Sequence, residues 1–152
     1  MSSSGQQEAT WIILLIFAQI LNNAKTTLLI EEPEAHLHPE AQMSMVHLIS
    51  LFANIKGNSV IVTTHSPYIL TSINSLMYAS NVGRKQNNKV LVEQIVDKAK
   101  WITPNQIGAY QLIGGRLECI VDDSIHQIKA ELIDSVSEAI NNIYYQLLEH
   151  DN

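Results

Sequence analysis

The sequence predicts an α/β fold in which a mainly parallel sheet is flanked by helices. Two short aliphatic runs, TTLLI (26–30) and SVIVTT (59–64), have the β-branched composition of strands. A helical pattern opened by Pro39 lies between them, and a strand–helix–strand order implies parallel strands covered on both faces. In such a sheet, functional side chains follow the carboxyl ends of the strands.

Composition describes one globular domain or a large part of one. Of 152 residues, 46% are hydrophobic and only 16% are charged, so a sizeable core can form. The net charge of -6 provides no basic surface for nucleic acid, and direct nucleic-acid binding is not supported. The single Cys119 excludes an internal disulfide, and a reducing cytoplasm is the expected compartment.

The first element is predicted to be a buried helix over about residues 6–23. Ser4 and Gln7 have the spacing of a capping box, and the following residues are almost continuously apolar. The run WIILLIFAQIL (11–21) is too short for a bilayer, which needs about 20 apolar residues. No positively charged segment precedes it, as a signal peptide would require. We therefore expect a core helix and no membrane partner.

The remaining elements follow from apolar periodicity and from turn residues. Up to Ser80 they are a helix over PEAQMSMVHLISLFANI (39–55) that Gly57 stops, a short helix in SPYILTSI (66–73) and a third strand in SLMYAS (75–80). We expect residues 81–152 to continue the domain formed by residues 1–80. Its elements are predicted to be a strand at 89–96, a short helix in TPNQIGAYQL (103–112) and a strand in GGRLECIV (114–121). An amphipathic helix from about Ser124 or Asp134 to Glu149 should close the chain.

Carboxylates and a histidine follow the first two predicted strands. Glu31 and Glu32 end the first run, and His65 ends the second, so neighbouring parallel strands would bring them together. One carboxylate can hold Mg²⁺ through water, and the next can orient or deprotonate an attacking water. The histidine can contact departing phosphoryl oxygens, so this arrangement is typical of phosphoryl transfer.

Segments of the chain resemble the motifs of ABC-type ATPases. LLIEEPEAHLHP (28–39) resembles the Walker B strand and D-loop, VIVTTHSPYIL (60–70) resembles the switch-histidine segment, and SSSGQQEA (2–9) resembles the signature motif. Their order and spacing are similar to those of RecF/SMC-like ATPases, including the AAA family proteins of bacterial defence systems and the overcoming-lysogenization-defect nucleases. The resemblance covers about residues 2–80 and implies a partial lobe of the P-loop NTPase fold.

The resemblance also implies roles for the matching residues. Glu31 corresponds to the Mg²⁺-associated acid, Glu32 to the catalytic glutamate and His65 to the histidine that reaches the γ-phosphate. The residues that would contact the nucleotide or the dimer interface are Ser3, Ser4, Gly5 and Gln6 of the signature and His36 and His38 of the D-loop. In the family, the signature meets ATP held by an opposing subunit, so ATP and a second copy are the implied partners. A serine hydroxyl and free amides at a helix N-terminus suit such an anion.

The sequence departs from the family pattern at two points. Glu31 stands where most relatives carry Asp. None of the six glycines belongs to a Gly-x-x-x-x-Gly-Lys motif, so no Walker A is present. We therefore expect the C-terminal portion of a lobe, produced by truncation, a split gene or the choice of fragment, and negligible hydrolysis without the missing N-terminal P-loop half. An exposed strand edge or apolar face should then drive self-association.

Two other functions remain open from the sequence. A non-catalytic interaction module would keep the dimerisation surfaces and bind no nucleotide by itself. A metal-dependent hydrolase would use His36, His38 and neighbouring acids, although this histidine spacing before a proline matches no established zinc motif.

Overall fold

The computed structural model describes residues 4–23, 25–55, 57–85, 88–122, 124–129 and 143. The helices are Ser4–Asn22 (α1), Pro39–Ala53 (α2), Pro67–Gly83 (α3) and Lys89–Ile95 (α4). The strands are Thr27–Glu31 (β1), Ser59–Thr63 (β2), Tyr110–Ile113 (β3), Arg116–Cys119 (β4), Val121–Asp122 (β5) and Gln127–Ile128 (β6). The result is a mixed α/β arrangement with a small parallel sheet, which is compatible with a partial domain of P-loop NTPase type.

Strands β1 and β2 form the predicted parallel pair. Their register joins Thr27 to Ser59 at one end and Glu31 to Thr63 at the other. The alternation along β1 buries Leu28 and Ile30, because these side chains face α1 and α2.

The prediction that helices cover both sheet faces is wrong for the described part of the chain. Leu29 and Ile61 lie opposite each other in the register and are 63% and 56% exposed. Helices α1 and α2 both pack on the other face, where Ile16 and Phe52 are almost completely buried. The described residues therefore supply one covering layer, and the second face of the sheet carries exposed apolar side chains.

Helix α1 is present as predicted but is not a buried core helix. Only a narrow stripe centred on Ile16 contacts β1 and α2. The rest of its apolar surface is exposed, with Trp11 at 72% and Leu21 at 69%. Since the helix is apolar around most of its circumference, a single packed stripe cannot bury it. No helix in the part of the chain that is described is both long enough and apolar enough to cross a membrane.

Helix α2 begins at Pro39, as predicted, and ends slightly before the predicted end at Ile55. Its last residue is Ala53. The side-chain amide of the next residue, Asn54, donates hydrogen bonds to the backbone oxygens of Ala99 and Trp101. Gly57 instead occupies the turn before β2, with a φ of 95° that favours glycine.

The predicted third strand, SLMYAS, is wrong because these residues lie inside α3. Ser66 caps this helix by accepting a hydrogen bond from the Tyr68 amide. Residues of SLMYAS continue the apolar stripe begun by Ile69, and Leu76 and Met77 are fully buried. Packing of this stripe determines the helical state, although the local composition resembles a strand.

Two of three predictions beyond residue 83 need correction. Residues predicted as a strand at 89–96 form α4, which buries only Val92 and leaves most of its apolar residues exposed. The helix predicted in TPNQIGAYQL is limited to one 3-10 turn, Pro104–Gln106, and β3 follows it. The strand predicted in GGRLECIV is confirmed as β4 and β5, and β4 forms a hairpin with β3.

The predicted C-terminal helix lies mainly outside the described residues. A start at Ser124 is wrong, because residues 124–126 form a turn and β6 follows. A start at Asp134 falls outside the described part. Strand β6 is held against α3 by the Asn74 side chain, which donates to the Ile128 oxygen and accepts from the Ile128 amide.

Candidate functional site

The site is built where β1 and β2 end side by side. Glu31 is the last residue of β1 and lies opposite Thr63. The Glu32 amide donates to the Thr63 oxygen at 2.9 Å, which extends the parallel ladder one residue past the strand. Consequently the two carboxylates and the Thr-Thr-His segment leave the sheet at the same edge, as the sequence predicted.

Glu32 and His65 face each other across this edge. The His65 Nε2 lies 3.6 Å from the Glu32 Oε1, and the side chains are 89% and 56% exposed, respectively. An exposed pair of this kind contributes only about 0–1 kcal/mol to stability. Stability alone therefore does not account for the pair, whereas its accessibility suits contact with a ligand.

The loop after β1 contains two residues with unusual backbone angles. The φ of Glu32 is 44° and that of His36 is 58°, both in the left-handed region that non-glycine residues rarely adopt. Two successive turns hold this shape: the Ala35 amide donates to the Glu32 oxygen and the Leu37 amide to the Glu34 oxygen. Such conformations cost roughly 1–3 kcal/mol each and are concentrated at functional sites.

Glu34 is a site residue that sequence reasoning missed, having treated it only as an acid beside a possible zinc site. Its Oε1 accepts hydrogen bonds from the Thr64 hydroxyl at 2.7 Å and from the His65 amide at 2.8 Å. Its Oε2 is buried and has no hydrogen-bond partner in the described part of the chain. A signal was available in the Glu-Glu-Pro-Glu spacing, because a turn at Pro33 can direct the third carboxylate back towards the end of β2.

Gln42 makes a second connection between the same two loops. Its Nε2 donates to the Leu37 oxygen at 2.9 Å, and its Oε1 accepts from the Ser66 hydroxyl at 2.6 Å. Gln42 and Ser66 are both buried, so these bonds are shielded from competing water. The loop after β1 is thus attached to the loop after β2 at both of its ends.

His36 and His38 lie on the exposed side of the loop after β1. His38 occupies the N-cap position of α2, where its side chain makes no capping hydrogen bond. Among the described residues, no three His, Cys, Asp or Glu side chains are grouped as metal ligands. The hydrolase hypothesis based on His36 and His38 therefore gains no support from the geometry.

The predicted signature residues lie at the start of α1. Ser4, Gly5 and Gln6 form its first turn, whereas Ser3 is outside the described residues. The following turns of α1 border the loop after β1 and enclose with it a shallow, largely apolar groove of about 240 Å³. Its lining residues are Glu8, Ala9, Trp11, Ile12, Glu31, Glu32, Pro33 and Ala35.

The carboxylates at this edge fit a magnesium ion. Mg²⁺ prefers oxygen ligands and is usually bound by one or two carboxylates together with waters and substrate phosphates. Glu31 is exposed and lines the groove beside Glu32, so it could supply one of these carboxylates.

Comparison with known proteins agrees with this geometry at the level of the domain. Residues 1–70 match the AAA ATPase domain family. The chain is also similar to an OLD nuclease of Thermus scotoductus, with 27% identity over 114 residues that cover 75% of this chain. The match covers 21% of that nuclease, so the chain spans about a fifth of its relative's length. No solved structure matches significantly. Residues 1–70 are thus similar to AAA ATPase domains, and the chain is similar to part of an OLD nuclease.

Proposed function

We propose that this chain is part of an ATPase in which Glu32 activates the attacking water and His65 contacts the γ-phosphate. The observation that carries the proposal is the 3.6 Å approach of His65 Nε2 to Glu32 Oε1 where β1 and β2 end together. The family match over residues 1–70 supports ATPase function in general, and this geometry supports the assignment of individual roles.

The chemistry divides between the two loops. The Glu32 carboxylate can accept a proton from water while His65, on the neighbouring loop, contacts the phosphoryl oxygens. Glu31 would hold Mg²⁺, which would supply positive charge to offset that of the phosphates. Since catalysis of phosphoryl transfer is mainly positioning and electrostatic stabilisation, relative placement of these side chains should control the rate.

The phosphate cradle is proposed to come from outside this chain. The sequence has no Walker A motif, and we expect residues Ser3–Gln6 to act on ATP held by a second copy. The open sheet face at Leu29 and Ile61 and the exposed surface of α1 at Trp11 are each suited to docking such a partner or the P-loop half. By itself, the chain should hydrolyse ATP negligibly.

A non-catalytic interaction module is the second candidate. It is favoured by the exposed apolar surface of α1, which is larger than isolated surface residues normally produce. In this case the chain would keep its docking surfaces, and the Glu32–His65 pair would have no effect on nucleotide turnover.

Phosphate release by the chain combined with a P-loop-bearing half distinguishes the two candidates. Glu32→Gln removes the proton acceptor with little change of shape, so hydrolysis should fall by about 100-fold or more and an ATP-bound dimer should accumulate. Glu40→Gln is the matched control, because Glu40 is exposed in the first turn of α2 and belongs to no proposed role. Equal rates for both variants would reject Glu32 as the base.

A further inference from the structure

The two loops of the site are joined by an unusually direct contact. Glu34 belongs to the loop after β1, and its Oε1 accepts from both a side chain and the backbone of the loop after β2. The donors are the Thr64 hydroxyl and the His65 amide, at 2.7 and 2.8 Å. Bonds to an ionised acceptor are shorter and stronger than neutral ones, so this oxygen restrains the backbone that carries the His65 imidazole.

The same carboxylate is poorly arranged for stability. Its second oxygen is buried and accepts no hydrogen bond within the described residues. Buried polar atoms are nearly always paired, so an exception calls for an explanation. The backbone at Glu32, two residues earlier, is also strained.

We propose that Glu34 is a positioning residue that holds His65 in reach of Glu32. The role rests on the proposed ATPase function, since it matters only if His65 takes part in the reaction. Glu34 acts through the His65 backbone, and no contact of its own with the reacting atoms is required. The Glu32–His65 pair is too exposed to hold this geometry by itself.

The chemistry of the contact predicts how substitutions should differ. Ala removes both hydrogen bonds. Gln keeps an oxygen for the two donors but loses the charge, and it places an amide nitrogen where the buried Oε2 has no partner. Activity should therefore fall strongly in Glu34→Ala and be partly recovered in Glu34→Gln.

A double-mutant cycle on the chain combined with a P-loop-bearing half tests the proposal, with Mg-ATP as substrate. Glu34→Ala should lower kcat by about 100-fold, the loss expected from a displacement of about 1 Å, with KM nearly unchanged. In a His65→Ala background the same change should cost less than about twofold, because Glu34 acts through His65. Glu40→Ala is the control and should leave kcat unchanged.

Hydrogen exchange at the His65 amide provides a readout that does not depend on activity. Exchange should accelerate in Glu34→Ala and stay unchanged in Glu40→Ala, since only Glu34 accepts from this amide. The positioning role would be overturned if the kcat losses of Glu34→Ala and His65→Ala multiply in the double variant. Unchanged exchange of the His65 amide in Glu34→Ala would overturn it as well. If the unmodified chain hydrolyses no ATP even when combined with a P-loop-bearing half, the proposed function fails and the positioning role fails with it, while the exchange data still report whether the contact exists.

Discussion

At the scale of single residues, Glu32 combines an unfavourable backbone with an exposed side chain. Its positive φ costs free energy, and its approach to His65 returns little in solvent. This backbone conformation allows the chain to turn sharply at Pro33, and the Glu32 carboxylate lies beside the groove as a result. Such conflicts between local preference and observed geometry are expected at functional positions.

His47 provides a residue-scale prediction about pH. Burial in α2 lowers the pKa of His47 from its usual 6.5, and the charge of Lys100 lowers it further. The unfolded state therefore binds more protons than the folded state as the pH falls through about 6.5, and the free energy of unfolding should decrease there. Urea unfolding measured at pH 7.5 and at pH 5.5 should show this decrease.

The comparison variant is His47→Gln, which cannot be protonated. Its free energy of unfolding should change less between the two pH values than that of the unmodified protein. Identical changes in both proteins would contradict the assignment, because they would place the responsible group elsewhere.

At the scale of elements, the sequence predicts best where periodicity and turn residues agree. The parallel pair β1–β2 and the start of α2 at Pro39 are confirmed because aliphatic runs and a helix-opening proline coincide. The prediction of a strand at SLMYAS was wrong. The composition of this segment favours a strand, but its residues complete a face of α3 that is buried against α2 and β6. Only the tertiary packing contains that information.

The site shows the same division. The meeting of Glu31, Glu32 and His65 could be predicted, because parallel strands end at one edge. The contact of Glu34 with Thr64 and His65 could not, because it depends on the turn angles of the loop and on a separation of about thirty residues. The exposure of most of α1 could not be predicted either. An apolar sequence shows that a helix can be buried, but it does not show which element or protein would cover it.

Packing of α3 against Trp101 gives an element-scale prediction. Gly83 ends this helix, and a Cβ there would overlap the Trp101 ring at Cη2 and Cζ3. Gly83→Ala should therefore lower the free energy of unfolding by about 1–3 kcal/mol. In a Trp101→Leu background the clash is removed, and the same substitution should become neutral or slightly stabilising because Ala favours the helix.

Urea unfolding of the two single variants and the double variant measures this change of sign. The background substitution is itself destabilising, so the comparison concerns the effect of Gly83→Ala within each background. An equal penalty in both backgrounds would show that the Trp101 ring is not the obstacle.

At the scale of the whole molecule, the exposed apolar surface is the dominant feature. Trp11 and Phe17 on α1 are 72% and 58% exposed, and Leu29 and Ile61 are exposed on the open face of the sheet. Apolar surface of this extent favours association in water. Replacing both Trp11 and Phe17 by Gln should shift the protein towards a smaller mass in sedimentation velocity.

The matched control for this prediction is Leu91→Gln. Leu91 is 61% exposed on α4, where the exposed residues belong to a different element. A mass that is unchanged in the α1 variant, or lowered equally by Leu91→Gln, would contradict the role of α1 in association.

The most direct test of the central claim is calorimetric titration of the purified 152-residue chain with Mg-ATP, together with phosphate release in the presence and absence of a P-loop-bearing half. We expect no binding and no release by the chain alone, and turnover that appears with the P-loop half and is lost in Glu32→Gln. Tight binding by the chain alone, with turnover lost in Glu32→Gln, would contradict it, because a complete phosphate site would then exist without Walker A.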